Sequence, residues 1–191
     1  MCRAIRGHRA PRNRIVMKST SVTFHPIGII RSEHTRPADT PIQPAFARRC
    51  RGRAEILPRY AEGLTDIEGF SHVYLLTWLH RAEPPRLRLK PFLQDIEHGV
   101  FATRAPCRPN PIGLSLVRLV RRDGNVLHLE GLDVLDGTPL LDLKPFAPRY
   151  DAVTNPRGGW TEEVGEMTAR RRGRRNYRGP GGISDRKSEE K

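Results

Sequence analysis

Short apolar stretches separated by turn residues run from Val22 to Pro145, and their spacing is that of strands far more than of helices. Val22 to Arg31, VTFHPIGIIR, is rich in β-branched and aromatic residues and predicts a first strand with Pro26 near its start. Pro37, Pro41 and Pro44 then punctuate a polar loop, and a second strand is expected around Gly52 to Leu57. From Pro58 the period lengthens. Tyr60, Leu64 and Ile67 recur at i, i+4 and i+7 and predict a short helix ending at Gly69. Phe70 to His80, FSHVYLLTWLH, is the most hydrophobic segment and reads as a buried strand.

A Pro- and Arg-rich connection over residues 82 to 98 leads to a short strand expected at Gly99 to Thr103. Ile112 to Arg122 and Asn125 to Asp133 form a hairpin across Asp123-Gly124, in which Leu127 and Leu129 face one way and His128 and Glu130 the other. Asp136-Gly137 makes the next turn, and Leu141 and Leu143 alternate with Asp142 and Lys144 in a last strand. Many strands with few helices predict a mainly antiparallel barrel or sandwich over residues 22 to 151.

One loop stands out chemically. In Phe101 to Gly113, FATRAPCRPNPIG, prolines at 106, 109 and 111 forbid both helix and inner strand, so Arg104, Arg108 and Asn110 are offered from a stiff frame. Two guanidiniums and an amide held this way suit an anionic or zwitterionic ligand, because little freedom is lost on binding.

Charge sharpens the picture at the ends of the chain. The net charge of +13 is carried unevenly: residues 1 to 21 contribute +6, residues 22 to 151 only +3, and residues 152 to 191 +4. Basic arms on a nearly balanced body match a polyanionic partner such as nucleic acid, or else are merely solvated tails. Residues 1 to 21 are set aside as a basic disordered extension with Met17 as an alternative start, and residues 152 to 191 as a mobile Gly- and Arg-rich extension with Trp160 as its candidate anchor. Within the latter, ARRRGRRNYR (Ala169 to Arg178) offers six arginines and a tyrosine for phosphate contact and stacking, separable from any cofactor pocket.

Cys2, Cys50 and Cys107 lack paired spacing, so no disulfide frame is expected and a reducing, cytoplasmic setting fits. The histidines form no HExxH or Cys/His cluster, so no metal is expected. No apolar run is long enough for a membrane span, and residues 1 to 17 lack the apolar centre of a secretory signal. Neither GxGxxG after a strand nor GxxxxGK[ST] occurs, which leaves a dinucleotide fold and a P-loop unsupported.

IGIIRS (Ile27 to Ser32), LTDIEGFSHVYLLTWLHR (Leu64 to Arg81), GVFATRAPCRPNPIGLS (Gly99 to Ser115) and GLDVLDGTPLLDLKPF (Gly131 to Phe146) come in the order and approximate spacing of one family. The chain resembles the TsaA-like proteins over about residues 24 to 151. These include methyltransferases that use S-adenosylmethionine to modify N6-threonylcarbamoyladenosine at position 37 of tRNA. The resemblance implies a small β-barrel methyltransferase of non-Rossmann type, a homodimer with its cofactor near the subunit interface. By position it implies cofactor contacts from Pro41, Ile42, Gln43, Leu79, His80, Arg104, Leu114, Gly131, Leu132 and Asp133. Arg108, Asn110, Asp136, Thr138 and Lys144 would line the side facing tRNA. In such a pocket Arg104 would pair with the methionine carboxylate and Asp133 would accept from ribose hydroxyls or the amino group.

Two features depart from the family. Its members often carry Pro-Arg-Gln where this chain has Pro41-Ile42-Gln43, and the bacterial tRNA enzymes carry a folded C-terminal domain that forty Gly- and Arg-rich residues do not reproduce. The acceptor nitrogen is urea-like and weakly nucleophilic, so a general base is expected within hydrogen-bond reach. Asp136 is the first candidate and His80 the second, although an Asp before Gly commonly serves only its own turn. A methyltransferase of another RNA or of a small molecule, and a non-catalytic RNA-binding barrel, are the competing readings.

Overall fold

The computed structural model describes residues 21–177, so the expectations placed on the first twenty residues and on 178–191 lie outside the described residues. Strands β1 (Gly28–Ser32), β2 (Arg51–Ile56), β3 (His72–Trp78), β4 (Arg88–Leu89), β5 (His98–Gly99), β6 (Ile112–Asp123), β7 (Val126–Glu130) and β8 (Thr138–Pro145) precede helices α1 (Pro148–Asp151) and α2 (Glu166–Arg174). Six of the strands close into an antiparallel barrel in the order β1-β2-β7-β6-β3-β8, with β8 returning to β1; β4 and β5 pair apart from it. Of the two architectures compatible with the strand pattern, the molecule adopts the barrel.

Alternation decides which side chains fill it. Val73, Leu75, Val117, Leu127, Leu129 and Leu140 point inward and are buried, each removing enough apolar surface from water to contribute about 1.5–3 kcal/mol. The hairpin between β6 and β7 turns through Gly124 at φ 59°, a conformation that glycine adopts without the steric penalty of a Cβ.

Several boundaries differ from the sequence expectation. β1 begins at Gly28 rather than Val22, because Pro26 can donate nothing to a ladder; Ile27 N–H is the first to bond, to Leu140 O at 2.8 Å. The helix expected after Pro58 is two 3₁₀ turns, Pro58–Leu64 and Ile67–Gly69, that bury Leu64 and Ile67 against the barrel. The strand expected at Gly99 to Thr103 ends at Gly99 and continues as a 3₁₀ turn over Val100–Ala102. In β8 the register against β3 shifts between Leu76 and Thr77, so that Leu140 faces Thr77 while Leu143 faces Leu75. This bulge leaves Leu141 as the extra residue, and Leu140 and Leu143, not Leu141 and Leu143, supply the core.

The C-terminal region departs most. Gly159–Glu163 forms a 3₁₀ turn and Glu166–Arg174 the helix α2, where no element was expected. Trp160 is an anchor: its Nε1–H donates to Ala102 O at 2.8 Å and its ring stacks on His98. Arg172 pairs with Asp95 at 2.8 Å, and the Arg175 guanidinium lies 4.5 Å over the Phe92 ring and donates to Pro37 O. These arginines fold α2 onto the barrel's loops, which explains a helix that its own polarity would not sustain. No helix of the described residues is long and apolar enough to cross a membrane.

Candidate active site

Three loops meet at one end of the barrel. The first carries Pro41-Ile42-Gln43, and α2 holds it: Ile42 N–H donates to Gly173 O at 2.9 Å, and Gly173 lies so close to Phe46 that a Cβ there would enter the Phe46 ring. Glycine at 173 is therefore what lets the helix approach. Pro41 is fully buried, and the Gln43 side chain turns toward the proline loop.

The second is the proline loop itself. Arg104 Nη1 donates to Gln43 Oε1 at 2.7 Å across sixty-one residues of sequence, joining the two segments. Arg108 is turned back on its own loop, its Nη1 donating to Thr103 O at 3.1 Å, and Asn110 is exposed. Leu79 follows β3 and is bound to the end of the same loop through Leu79 N–H to Pro111 O at 2.8 Å.

The third is Gly131-Leu132-Asp133. Cys50 O accepts from Gly131 N–H at 2.8 Å and from Leu132 N–H at 3.4 Å, and Leu132 is fully buried. Ser115 Oγ donates to Asp133 Oδ1 at 2.5 Å. Burial pushes the Asp133 carboxyl up to about 6, while the Ser115 hydrogen bond and the charge of Arg104 pull it back. Beside Ser115 on the same face of β6, Gly113 abuts Thr77, where a Cβ would stand 2.5 Å from Thr77 Oγ1. That hydroxyl is buried and has no hydrogen-bond partner among the described residues, a state that costs about 1–3 kcal/mol.

The structure thus joins Gln43 to Arg104, and Asp133 to Ser115, within the field of Arg104. Other residues are placed differently. Leu114 points to the outer face of β6, opposite to Ser115, and is 49 % exposed. His80 is exposed, with its ring edge-to-face against Trp78 at 6.1 Å. Asp136 Oδ1 accepts from Ser32 N–H at 3.1 Å and its Oδ2 lies 3.8 Å from Arg31 Nη1, so the carboxylate ties its turn to β1. Thr138, expected to face tRNA, is buried opposite Ile30 on β1, with its hydroxyl donating to Leu135 O at 2.7 Å. Lys144 is exposed and paired with Asp142 at 2.9 Å.

Sequence reasoning missed a shallow depression of about 360 Å³ lined by Arg31, Ser32, Glu33, Thr35, Arg51, Gly52, Arg53 and Asp136. Arg53 and Arg31 converge on Glu55, at 2.8 and 3.2 Å, and hold its carboxyl below the usual range. The signal was present: Arg51, Arg53 and Glu55 alternate with Gly52, Ala54 and Ile56, the mark of a strand with one charged face.

A second cluster was also missed. His34 and Cys50 are buried beside Glu33 and Tyr177, and Tyr177 OH donates to Glu33 Oε1 at 2.7 Å. His34 Nε2 bonds Leu132 O at 3.0 Å, and desolvation lowers the imidazole's affinity for a proton.

Comparison with known proteins identifies the family. Residues 29–152 match the family model of the tRNA-methyltransferase O N-terminal domain. A probable S-adenosyl-L-methionine-binding protein of Pyrococcus abyssi is 51 % identical over 142 residues, covering 74 % of this chain and 77 % of that protein. The human tRNA (adenine(37)-N6)-methyltransferase is 35 % identical over 152 residues, covering 73 % of this chain and 33 % of the enzyme. The crystal structure of TrmO from Pseudomonas aeruginosa superposes with a TM-score of 0.62 at 42 % identity, covering 74 % of this chain and 63 % of that one. The chain therefore spans less than two thirds of the solved TrmO and a third of the human enzyme.

Proposed function

Since the chain belongs to the tRNA-methyltransferase O N-terminal domain family, we propose that it transfers a methyl group from S-adenosyl-L-methionine to N6 of threonylcarbamoyladenosine at position 37 of tRNA. The observation that carries this reading is the pairing of Arg104–Gln43 with Asp133–Ser115 at the end of a closed barrel. The donor set fits the cofactor: a cation for its carboxylate, a carboxylate for its ammonium or ribose hydroxyls, and in Thr77 a buried hydroxyl without a partner among the described residues. When bound, S-adenosyl-L-methionine supplies an electrophilic methyl on a sulfonium.

The residues then have distinct tasks. Arg104, preset by Gln43, fixes the carboxylate end, Asp133 the opposite polar end, and Pro41, Ile42, Leu79, Gly131 and Leu132 supply apolar walls that exclude water. Positioning of this kind supplies at most about 7–11 kcal/mol of the barrier. Asp136 and His80 remain the two candidates to accept the acceptor nitrogen's proton. The tRNA backbone meets Arg108, Asn110 and Lys144 together with the arginines of the depression beside Asp136.

The protein acts as a homodimer in this reading. Leu114, Ile112 and Trp78 form an exposed apolar patch on the outer face of β3 and β6, and Leu114 points away from its own Ser115. An outward Leu114 reaches a cofactor when a second subunit brings one to it. Leu114→Asp is expected to yield monomers in sedimentation velocity and to weaken cofactor binding; a dimer that persists would move the interface elsewhere.

The deciding experiment incubates the full chain with threonylcarbamoyladenosine-containing tRNA and S-adenosyl-L-methionine, followed by mass spectrometry of the nucleosides. A gain of one methyl on that nucleoside is expected, and methylation of other nucleosides only would transfer the activity to a different acceptor. In the same assay the variant lacking the true base, Asp136→Asn or His80→Ala, loses about 100-fold or more in turnover.

A further inference from the structure

Glu33, His34 and Cys50 offer one carboxylate oxygen, one imidazole nitrogen and one thiol sulfur within 4.8 Å of one another, and Tyr177 sets its hydroxyl against the same group. We propose that Glu33, His34 and Cys50 bind a divalent transition-metal ion of the zinc class, with the Tyr177 hydroxyl or a water as fourth ligand. Sulfur, nitrogen and oxygen donors in one cluster are the set that zinc takes, and tetrahedral bonds of about 2.0–2.3 Å hold such donors closer together than the 4.8 Å that bounds them here.

Three observations favour a site over an accidental cluster. The Leu132 carbonyl holds His34 Nε2, so in the neutral ring that nitrogen carries the proton and Nδ1 keeps its lone pair; a carbonyl orienting a ligating histidine is a common outer-shell arrangement. His34 and Cys50 are almost wholly buried, 2 % and 0 % exposed, while Glu33 is exposed, so an ion has both a sealed floor and an open approach. The donors come from three distant segments, the end of β1, the residue before β2 and the residues following α2, and they gather around Tyr177, whose hydroxyl bonds Glu33 and whose ring lies edge-to-face against His34. On binding, the Cys50 sulfur–metal bond forms as the S–H bond breaks, and the proton passes to solvent. The ion would sit behind the Gly131-Leu132-Asp133 loop, because Cys50 O and His34 both bond that loop's backbone. It is a structural clamp of the site and takes no part in methyl transfer.

Cobalt(II) titration of the untagged, metal-stripped full chain tests this. A thiolate-to-cobalt charge-transfer absorption is expected, saturating at one ion per chain and displaced by zinc. Cys50→Ser abolishes the band, His34→Gln weakens binding by about 100-fold or more, and Cys107→Ser leaves it unchanged. Thermal unfolding of the unmutated chain reads the same claim without variants: its midpoint rises with zinc and falls back with chelator. The proposal is overturned by a folded chain that shows no band, by a band that survives Cys50→Ser or vanishes with Cys107→Ser, or by a midpoint indifferent to zinc.

Discussion

Arg104→Ala leaves the barrel folded and cuts affinity for S-adenosyl-L-methionine by about 10- to 100-fold, the equivalent of one charge-assisted hydrogen bond of about 1.5–3 kcal/mol. Arg104 is exposed and its one hydrogen bond among the described residues is to Gln43, so its removal changes stability by less than about 0.5 kcal/mol. The loss falls on binding because that bond presets both partners: the guanidinium is aimed and the Gln43 loop is drawn to the proline loop before any ligand arrives. Arg104→Lys keeps the charge but not the fork that reaches Gln43 and a carboxylate together, and should fall between the two. Isothermal titration calorimetry measures both variants. Affinity equal to that of the unmutated chain would remove Arg104 from the cofactor site.

Asp133 gives the second large effect, with opposite signs for folding and for binding. Its carboxyl moves from an ordinary 3.8 to about 6 on folding, chiefly through burial. A carboxyl raised in this way favours the folded state while it is protonated. The contribution is complete below about pH 4 and is lost as pH climbs through about 6, an integrated change of about 3 kcal/mol. Asp133→Asn should flatten that part of the stability profile and, after the weakened bond to Ser115 is discounted, gain about 1–2 kcal/mol at pH 8. Denaturant unfolding at pH 5 and pH 8 measures it; an asparagine variant less stable at pH 8 would mean that the neighbouring charges offset burial. Cofactor affinity runs the other way. The ionised carboxylate is the form that attracts an ammonium or sulfonium, so affinity in the unmutated chain drops as pH falls through about 6, and the asparagine variant is weak and flat.

Local chemistry explains which elements could be read in advance. The β6–β7 hairpin was legible from Asp123-Gly124 and a two-residue period, both contained in adjacent sequence, although its turn falls one residue later, at Gly124-Asn125 between the paired Asp123 and Val126. The β3–β8 bulge left no such trace, since it is a compromise between two strands far apart in the chain, and it moved Thr138 and Leu140 onto the inner face. α2 was invisible for a similar reason. Its residues are polar and its own propensity is interrupted by Gly173, yet that glycine admits Phe46, and Arg172 and Arg175 find Asp95 and Phe92. The tail read as separable from the pocket therefore supports it, through Gly173 O to Ile42 N–H. The proline loop was recognised from its composition, but its partner Gln43 and the convergence of Glu33, His34 and Cys50 depend on contacts that span many residues.

Because β8 closes onto β1, the barrel carries no row of open backbone donors and acceptors along which another chain could add a strand. Sheet extension from the barrel is thereby disfavoured, and among the described strands only the short β4–β5 pair keeps open edges. A partially opened barrel, in which β8 peels away from its short three-residue pairing with β1, would expose such a row, which makes that seam the place where heat or truncation would first provoke aggregation.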